Sequence, residues 1–464
     1  MLFVNKYYIT TSLPYVNTPG HLGHALEFIQ ADVLARYHRI LGDDVFFLTG
    51  TDEHGAKIVR AAEKAGKTPK QFTDDISKKF KELTRVINLS NDDFIRTTDQ
   101  KKHWPNVQKV WLKLKENNDI YKKRYKGFYC VGCEAFVRKK DLVDGKCPNH
   151  QKEPEVLEEE NYFFKLSKYS KQVENLIKND EIKIVPESKK NEILNFIEQG
   201  IEDVSCSRSE ENLKWGIPVP GDDSQVIYVW FEALINYLFP KKYWPADVHC
   251  VGKDIFRFHA LWWPAMLLAL RKPLPKTILV HGFITSEGQK MSKSLGNVID
   301  PFELVKKYGT DPVRYFLLRE IPSTEDGDFT YEKFEARYNA DLAKGLGNLI
   351  ARVITLANKS KSQKSKITSQ ILKVIDETQK KHKKTLEEFK FNEALAAIWA
   401  LISWCDKCIE REKLWETKDQ KILDNLLFAI KEIAELLKPF LPETSEKILE
   451  QIKTKKSKPL FPRL

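Results

Sequence analysis

Three groups of residues have the types and spacing to do chemistry. His21 and His24, separated by Leu22 and Gly23, set two imidazoles about a glycine. Lys290 and Lys293 set two ammonium groups in the run Lys290-Met291-Ser292-Lys293-Ser294. Cys130, Cys133, Cys147 and His150 form a Cys-x-x-Cys pair followed, after 13 residues, by Cys-x-x-His. The third pattern is the most specific in purely chemical terms. Each short pair suits a knuckle turn, and three thiolates with one imidazole fill a tetrahedral zinc shell. No position is left open, so the expected Zn2+ is structural. A second Cys-x-x-Cys, Cys405 and Cys408, lies in a helical run with Trp399, Leu401 and Ile402 and reads as packing.

The elements around the histidines determine what they can do. Tyr7 to Thr11 is a β-rich run ending at Pro14, and Asn17 to Gly20 is turn chemistry. From Leu22 the apolar residues Leu26, Ile29, Val33, Tyr37 and Ile40 recur at helical spacing. His21 and His24 therefore sit at a helix N-terminus, where free N–H groups and the helix dipole favour phosphate. Gly23 would let a flat ring approach closely. The same residues also fit an ordinary first turn with two surface histidines. The lysines follow the strand-like run Thr277 to His281 and lie between Gly288 and Gly296. They could meet a polyphosphate whose charge grows as pyrophosphate leaves, or form a solvated lysine loop.

With 464 residues the chain has room for two to four domains. No run of 18 apolar residues occurs, so no membrane span is expected, and the N-terminus enters a strand at once rather than a signal peptide. Seven cysteines, an odd number with a metal-like grouping, suit a reducing cytosol better than a disulfide framework. Of the net charge of +11, a surplus of 8 falls in residues 351–464. That suits a polyanionic partner, and equally a solvated lysine-rich helical surface.

These patterns predict an α/β fold: a Rossmann-like, doubly wound parallel sheet split by a zinc-binding insertion, then an all-α helix bundle. The expected division is a first catalytic half over 1–115, a connective insertion over 116–222, a second catalytic half over 223–335 and a helical domain over 336–464. Val45 to Thr49 reads as a second buried strand ending in the polar run Gly50-Thr51-Asp52-Glu53-His54-Gly55. The apolar pattern resumes at Val226-Ile227-Tyr228-Val229-Trp230, and the Lys/Ser stretch 358–368 reads as an exposed connection.

Over essentially its whole length the chain resembles the methionyl-tRNA synthetases, a family of class I aminoacyl-tRNA synthetases. The resemblance is carried by Ser12 to Asn17 leading into the histidines, Gly252 to His259, Trp262 to Leu267, Tyr228 to Ala233, Val280-His281-Gly282, Glu325 to Phe329 and Asp341 to Arg352. The related valyl, leucyl and isoleucyl enzymes carry a much larger editing insertion than residues 116–222 could hold.

The resemblance implies a two-step reaction. The carboxylate of L-methionine attacks the α-phosphate of ATP, giving methionyl-adenylate and pyrophosphate. The 2′- or 3′-hydroxyl of the terminal adenosine of tRNA(Met) then takes the methionyl group. It implies phosphate contacts by His21 and His24, nucleotide binding at Gly23, pyrophosphate contacts by Lys293 with Lys290 beside it, and Mg2+ arriving with ATP rather than in a fixed cage. Leu13, Tyr15, Trp230, Ala233, Tyr237 and His281 match the family's methionine-binding positions, with Asp52 on the ammonium group. Glu27 is a further candidate ligand. Asn348, Arg352 and Trp415 match positions that recognise the CAU anticodon. Leu234 stands where some relatives have proline, a departure in the expected pocket wall, and Leu414, just before Trp415, stands where relatives often have proline. The chain stops soon after Phe440-Leu441-Pro442, without the C-terminal module that dimerises some relatives, so a cytosolic monomer is expected. The residues taken alone also fit a small-molecule nucleotidyltransferase or a non-catalytic tRNA-binding or zinc-ribbon protein.

Overall fold

The computed structural model describes residues 4–133, 135–137, 139–148, 151–291, 296–358 and 367–464. They divide into two compact units. The first comprises Met1–Gly20, Asp43–Thr84 and Asn91–His281; the second comprises His21–Gly42, Arg85–Ser90 and Gly282–Leu464.

The first unit is built on a six-stranded sheet in the order Asp93–Arg96, Asp44–Thr51, Lys6–Thr11, Val248–Gly252, Thr277–His281, Lys183–Val185. Every pairing is parallel. The central strands Val248–Gly252 and, after its first residue, Thr277–His281 are buried throughout. That is why they read as continuous β-branched and apolar runs rather than alternating ones. Strand order reverses between Lys6–Thr11 and Val248–Gly252. A doubly wound sheet leaves a crevice at that point, beyond the carboxyl ends of the strands. One apolar core runs through the unit, including Tyr8, Leu48, Trp111, Phe164, Trp263 and Val280.

Within residues 116–222 an antiparallel sheet joins Ala135–Val137, Ile120–Cys130, Glu155–Phe164 and Val204–Ser205. The same stretch also supplies Lys183–Val185, the edge strand of the parallel sheet. The run from Val226 divides between two elements. Asp222–Ile227 is an antiparallel strand against Ser207–Ser209 and Ile217–Val219, and Val229–Ile235 is a helix.

The second unit contains the histidine helix, Leu22–Ile40, whose residues Leu26, Ile29, Val33 and Tyr37 are buried. It also contains the helices Pro301–Tyr308 and Thr310–Arg319 and, past a π-helical segment Tyr338–Gly347, the bundle helices Asn348–Asn358, Ser369–Glu387, Phe391–Arg411, Gln420–Leu437 and Pro442–Thr454. Arg314, fully buried, joins several of these. It donates to Asp32 at 2.7 Å and to the carbonyls of Phe440 at 2.7 Å, Ile87 at 3.0 Å and Pro439 at 3.1 Å. Burial pushes the Asp32 carboxyl up, but Arg314 and Arg36 outweigh it and hold the group below the usual carboxylate range. A buried ion pair of this kind specifies geometry more than it adds net stability. Here it fixes the histidine helix to the corner between the last two bundle helices. Cys405 and Cys408 are buried in the bundle, as packing residues. Most of the stretch 358–368 lies outside the described residues.

Candidate functional site

At the reversal of strand order a small cavity is lined by Ser12, Leu13, Asp52, Trp230, Ala233, Leu234, Asn236, Tyr237 and His259. Its residues come from just beyond the first and second strands, the helix Val229–Ile235 with its continuation, and the segment Phe258–Trp262. Five of the seven residues expected to hold methionine meet here: Leu13, Asp52, Trp230, Ala233 and Tyr237. Tyr15 and His281 do not line it. Tyr15 forms a β-bridge with Asp52 and donates its hydroxyl to the His54 carbonyl. His281 is buried at its strand end, where its carbonyl accepts the Lys253 N–H at 3.1 Å. Ser12, Asn236 and His259 were not among the expected site residues, while Leu234, the departure noted beside Ala233, does stand in the wall. His259 lies in the stretch that carried the resemblance, but only the fold turns it inward. A π-helical segment, Phe258–Trp262, holds it there and stacks Phe258 on Trp230 at 4.1 Å with 5° between the rings.

The cavity wall is mostly apolar and aromatic, with one carboxylate. Asp52 is buried, and Thr97 Oγ1 reaches its Oδ1 at 3.4 Å. Opposite, the Tyr237 hydroxyl meets His259 Nε2 at 2.9 Å and the Thr11 carbonyl at 3.3 Å. His259 Nδ1 faces the Ile255 carbonyl at 3.2 Å, which can only accept.

The loop after the second strand is fixed by its own polar partners. Glu53 accepts two bonds from Arg96, at 2.7 and 2.8 Å, and the Trp215 indole N–H donates to the Glu53 carbonyl at 2.6 Å.

In the second unit, His21 is the N-cap of its helix. Its Nδ1 accepts the Gly23 N–H at 3.1 Å, and His24 Nδ1 accepts the His21 N–H at 3.2 Å. This is the reciprocal geometry of a capping box, made with two imidazoles. Each Nδ1 is an acceptor, so each neutral ring carries its proton on Nε2. The rings lie 4.0 Å apart. Burial lowers the His21 imidazole to about 4, which keeps it neutral at physiological pH. A Cβ on residue 23 would stand 2.9 Å from His21 Cε1, so glycine leaves room for the capping ring.

The lysine loop grows from a small sheet in the same unit, in which Ile284–Ser286 pairs with Gln289–Lys290 and with Gly327–Phe329. Glu287 and Gly288 both have positive φ, 54° and 73°, as a two-residue hairpin turn of type I′ requires. Asp328 accepts the Gly288 N–H at 2.7 Å and the Thr285 hydroxyl at 2.8 Å. Gly282 starts this segment. A Cβ there would come within 2.2 Å of the Glu325 backbone. Lys293, with Ser292 and Ser294, lies outside the described residues; of Lys290 only the backbone is described.

Cys130, Cys133 and Cys147 converge, with their sulfurs within 4.8 Å of one another and Cys133 to Cys147 at 3.5 Å. None is in a disulfide. Three sulfurs this close suit a thiophilic cation. The expected fourth ligand, His150, lies outside the described residues. The Trp230 indole N–H donates to the Cys133 carbonyl at 3.3 Å, so the knuckle touches a cavity residue.

In the bundle, Arg352 and Trp415 line one shallow groove with Ala351, Thr355, Leu356 and Ile409. Trp415 is 46% exposed, while Leu414 before it is buried and anchors the short helix Leu414–Thr417. Exposed Asn348 stands one turn before Arg352 on the same helix. Arg352 is held by Glu410 at 2.6 Å and Asp406 at 3.6 Å.

A doubly wound parallel sheet with a cavity at its switch point, a histidine-capped helix and a helical domain with an exposed aromatic groove are the parts of a class I tRNA synthetase. The family model described as tRNA synthetases class I (M) matches residues 7–154 and 137–354, and the one described as anticodon-binding domain of tRNA ligase matches 368–462. The methionine–tRNA ligase of Caldanaerobacter subterraneus subsp. tengcongensis is 44% identical over 96% of this chain and 74% of its own length. That of Brucella suis is 40% identical over 96% and 91%. Mycobacterium tuberculosis methionyl-tRNA synthetase in complex with methionyl-adenylate has a TM-score of 0.91 at 36% identity, covering 96% of this chain and 94% of the other. The chain belongs to this family, the methionine–tRNA ligases.

Proposed function

We infer that the chain activates L-methionine with ATP to methionyl-adenylate and pyrophosphate, then transfers methionine to the terminal adenosine of tRNA(Met). The observation that carries this reading is the cavity at the sheet's switch point. It sets one buried carboxylate, Asp52, against an apolar and aromatic wall. An α-ammonium pairs with the carboxylate, and a polarizable thioether suits the rings. The solved relative bound to methionyl-adenylate holds the product of the first step.

The attacking group in that step is already a carboxylate, so no protein base is required. Catalysis is positioning plus stabilisation of charge on phosphate. Neutral His21 and His24 supply Nε2–H donors at a helix N-terminus, and Lys290 and Lys293 balance the charge of leaving pyrophosphate. Mg2+ accompanies ATP. Cys130, Cys133 and Cys147, with His150, would hold one Zn2+, whose role is to close the knuckle. Asn348, Arg352 and Trp415 would read the CAU anticodon, with the indole as a stacking platform. Among the described residues no helix is long and apolar enough to cross a membrane. We place the protein in the cytosol, with domain bounds at residues 115, 222 and 335.

The test is pyrophosphate–ATP exchange with each of the twenty amino acids, followed by charging of a CAU tRNA and an anticodon variant. Exchange should depend on methionine alone, charging should be lost with the anticodon, and the protein should carry zinc. Equal exchange with another amino acid overturns the reading.

Gly282→Ala is expected to lower kcat/KM for ATP in this assay by about tenfold or more, because the added methyl displaces the strand that leads into the lysine loop. An unchanged value would mean that the Glu325 backbone yields without moving that loop.

A further inference from the structure

Behind the cavity lies a buried cluster that the reaction does not use. Glu232 has a fully buried side chain on the helix Val229–Ile235. Its Oε1 meets His54 Nδ1 at 2.7 Å, and its Oε2 makes a short contact with His103 Nε2. Both histidines are buried. Their outer nitrogens, His54 Nε2 and His103 Nδ1, have no hydrogen-bond partner among the described residues. The His54 ring packs edge-on to Trp215 and near Trp104, and the His103 ring lies against Phe239. Among the described residues, the side-chain hydrogen bonds of both rings therefore go to Glu232 alone. Truncating that residue would leave two buried imidazoles unpaired.

The placement of these groups gives the cluster a consequence for the substrate. His54 stands two residues beyond Asp52, and Glu232 stands between Trp230 and Ala233. Asp52 lines one side of the cavity, and Trp230 and Ala233 line the other. The Glu232–His54 bond thus joins the strand end that carries the carboxylate to the helix that carries the apolar wall. His103, at the start of the helix Trp104–Glu116, braces the pair from a third element.

We propose that Glu232 is a positioning residue for amino-acid selection: by clamping His54 and His103 it fixes the distance between the ammonium end and the thioether end of the cavity. A site of fixed length discriminates among unbranched side chains that differ by a methylene or by sulfur, which a slack apolar pocket does poorly. The proposal rests on reading this cavity as the methionine site.

Methionine-dependent pyrophosphate exchange on the full chain tests it, with KM for methionine and for ATP measured separately and norleucine and ethionine as competing substrates. Glu232→Ala should raise the methionine KM by about tenfold or more, leave the ATP KM within about twofold, and narrow the preference for methionine over both analogues. Glu232→Gln keeps an acceptor for His54 and an amide for His103, and should recover the methionine KM to within about threefold of the parent. Glu232→Asp keeps the charge but falls one methylene short of bridging both rings. It should raise the methionine KM by about threefold or more, and it decides the matter should the alanine variant not fold. An unchanged methionine KM in the soluble variants, or an equal rise in the ATP KM, overturns the proposal. Trp230→Ala separates the two possible failures. If it raises the methionine KM while the Glu232 variants do not, the clamp is wrong and the cavity reading stands; if neither does, the cavity reading itself has failed.

Discussion

Replacing His24 by alanine is expected to slow methionyl-adenylate formation by about 100- to 1,000-fold while leaving the methionine KM within about twofold. The size of the effect follows from the local geometry. His24 Nδ1 is occupied by the His21 backbone N–H, so its Nε2–H is preset as a donor. His21 is preset in the same way by the Gly23 N–H. Donors fixed before the reaction need no reorganisation when charge builds on phosphate, which makes each worth several kcal/mol in the transition state and little in the ground state. The pH dependence follows as well. His21 titrates near 4, below its ordinary value, because burial disfavours the charged ring. A group with a lowered pKa stays neutral as pH falls through the ordinary histidine range and gains its proton only near the lowered value. Single-turnover adenylate formation should therefore show no His21 inflection between about pH 5 and 8. A rate that falls as pH rises through the ordinary histidine value would mean that the ring acts as an imidazolium. A His24→Ala rate within threefold of the parent would remove the histidines from the mechanism.

Asp52→Asn is expected to raise the methionine KM by about 100-fold or more with little change in the ATP KM. Asp52 is the one carboxylate of a cavity whose wall is otherwise mostly apolar and aromatic. An α-ammonium that enters loses water, and only a buried opposite charge compensates. Removing one partner of such a pair costs about 3–5 kcal/mol, because the remaining charge is left unpaired. The asparagine keeps the shape and can still accept from Thr97, so lost affinity would report the charge itself. A second readout uses methionine lacking its amino group as an inhibitor of exchange. The parent should bind it far more weakly than methionine, and Asp52→Asn should narrow that gap. An asparagine variant with a normal methionine KM would mean that the ammonium is held elsewhere.

Local features were legible in the amino-acid order. The helix after His21 follows from turn residues and 3.6-residue periodicity, all within a few residues of one another. The central strands were legible because burial on both faces leaves continuous apolar runs. The cysteine spacing announced three sulfurs that do converge. The short edge strand Lys183–Val185 gave no such signal. Three residues in a charged stretch carry no period, and their strand character comes from pairing with Thr277–His281. The segment from Val226 was ambiguous for a related reason: a short apolar run fits a strand or a helix, and here it divides into both.

Residue types and spacing alone thus determined the sheet class, the helix after the turn and the sulfur cluster, while the family resemblance supplied five of the nine side chains that line the cavity. The tertiary structure alone decided that Ser12, Asn236 and His259 line this cavity and that Tyr15 and His281 are not among its lining residues. It also decided that Gly282 must be bare against a backbone more than forty residues later in the chain, and that Glu232 spends its charge on His54 and His103. The physical reason is the same in each case. Periodicity and capping are set by neighbours along the chain, whereas a shared cavity, a close backbone approach or a buried ion network is set by strand order and packing between distant segments.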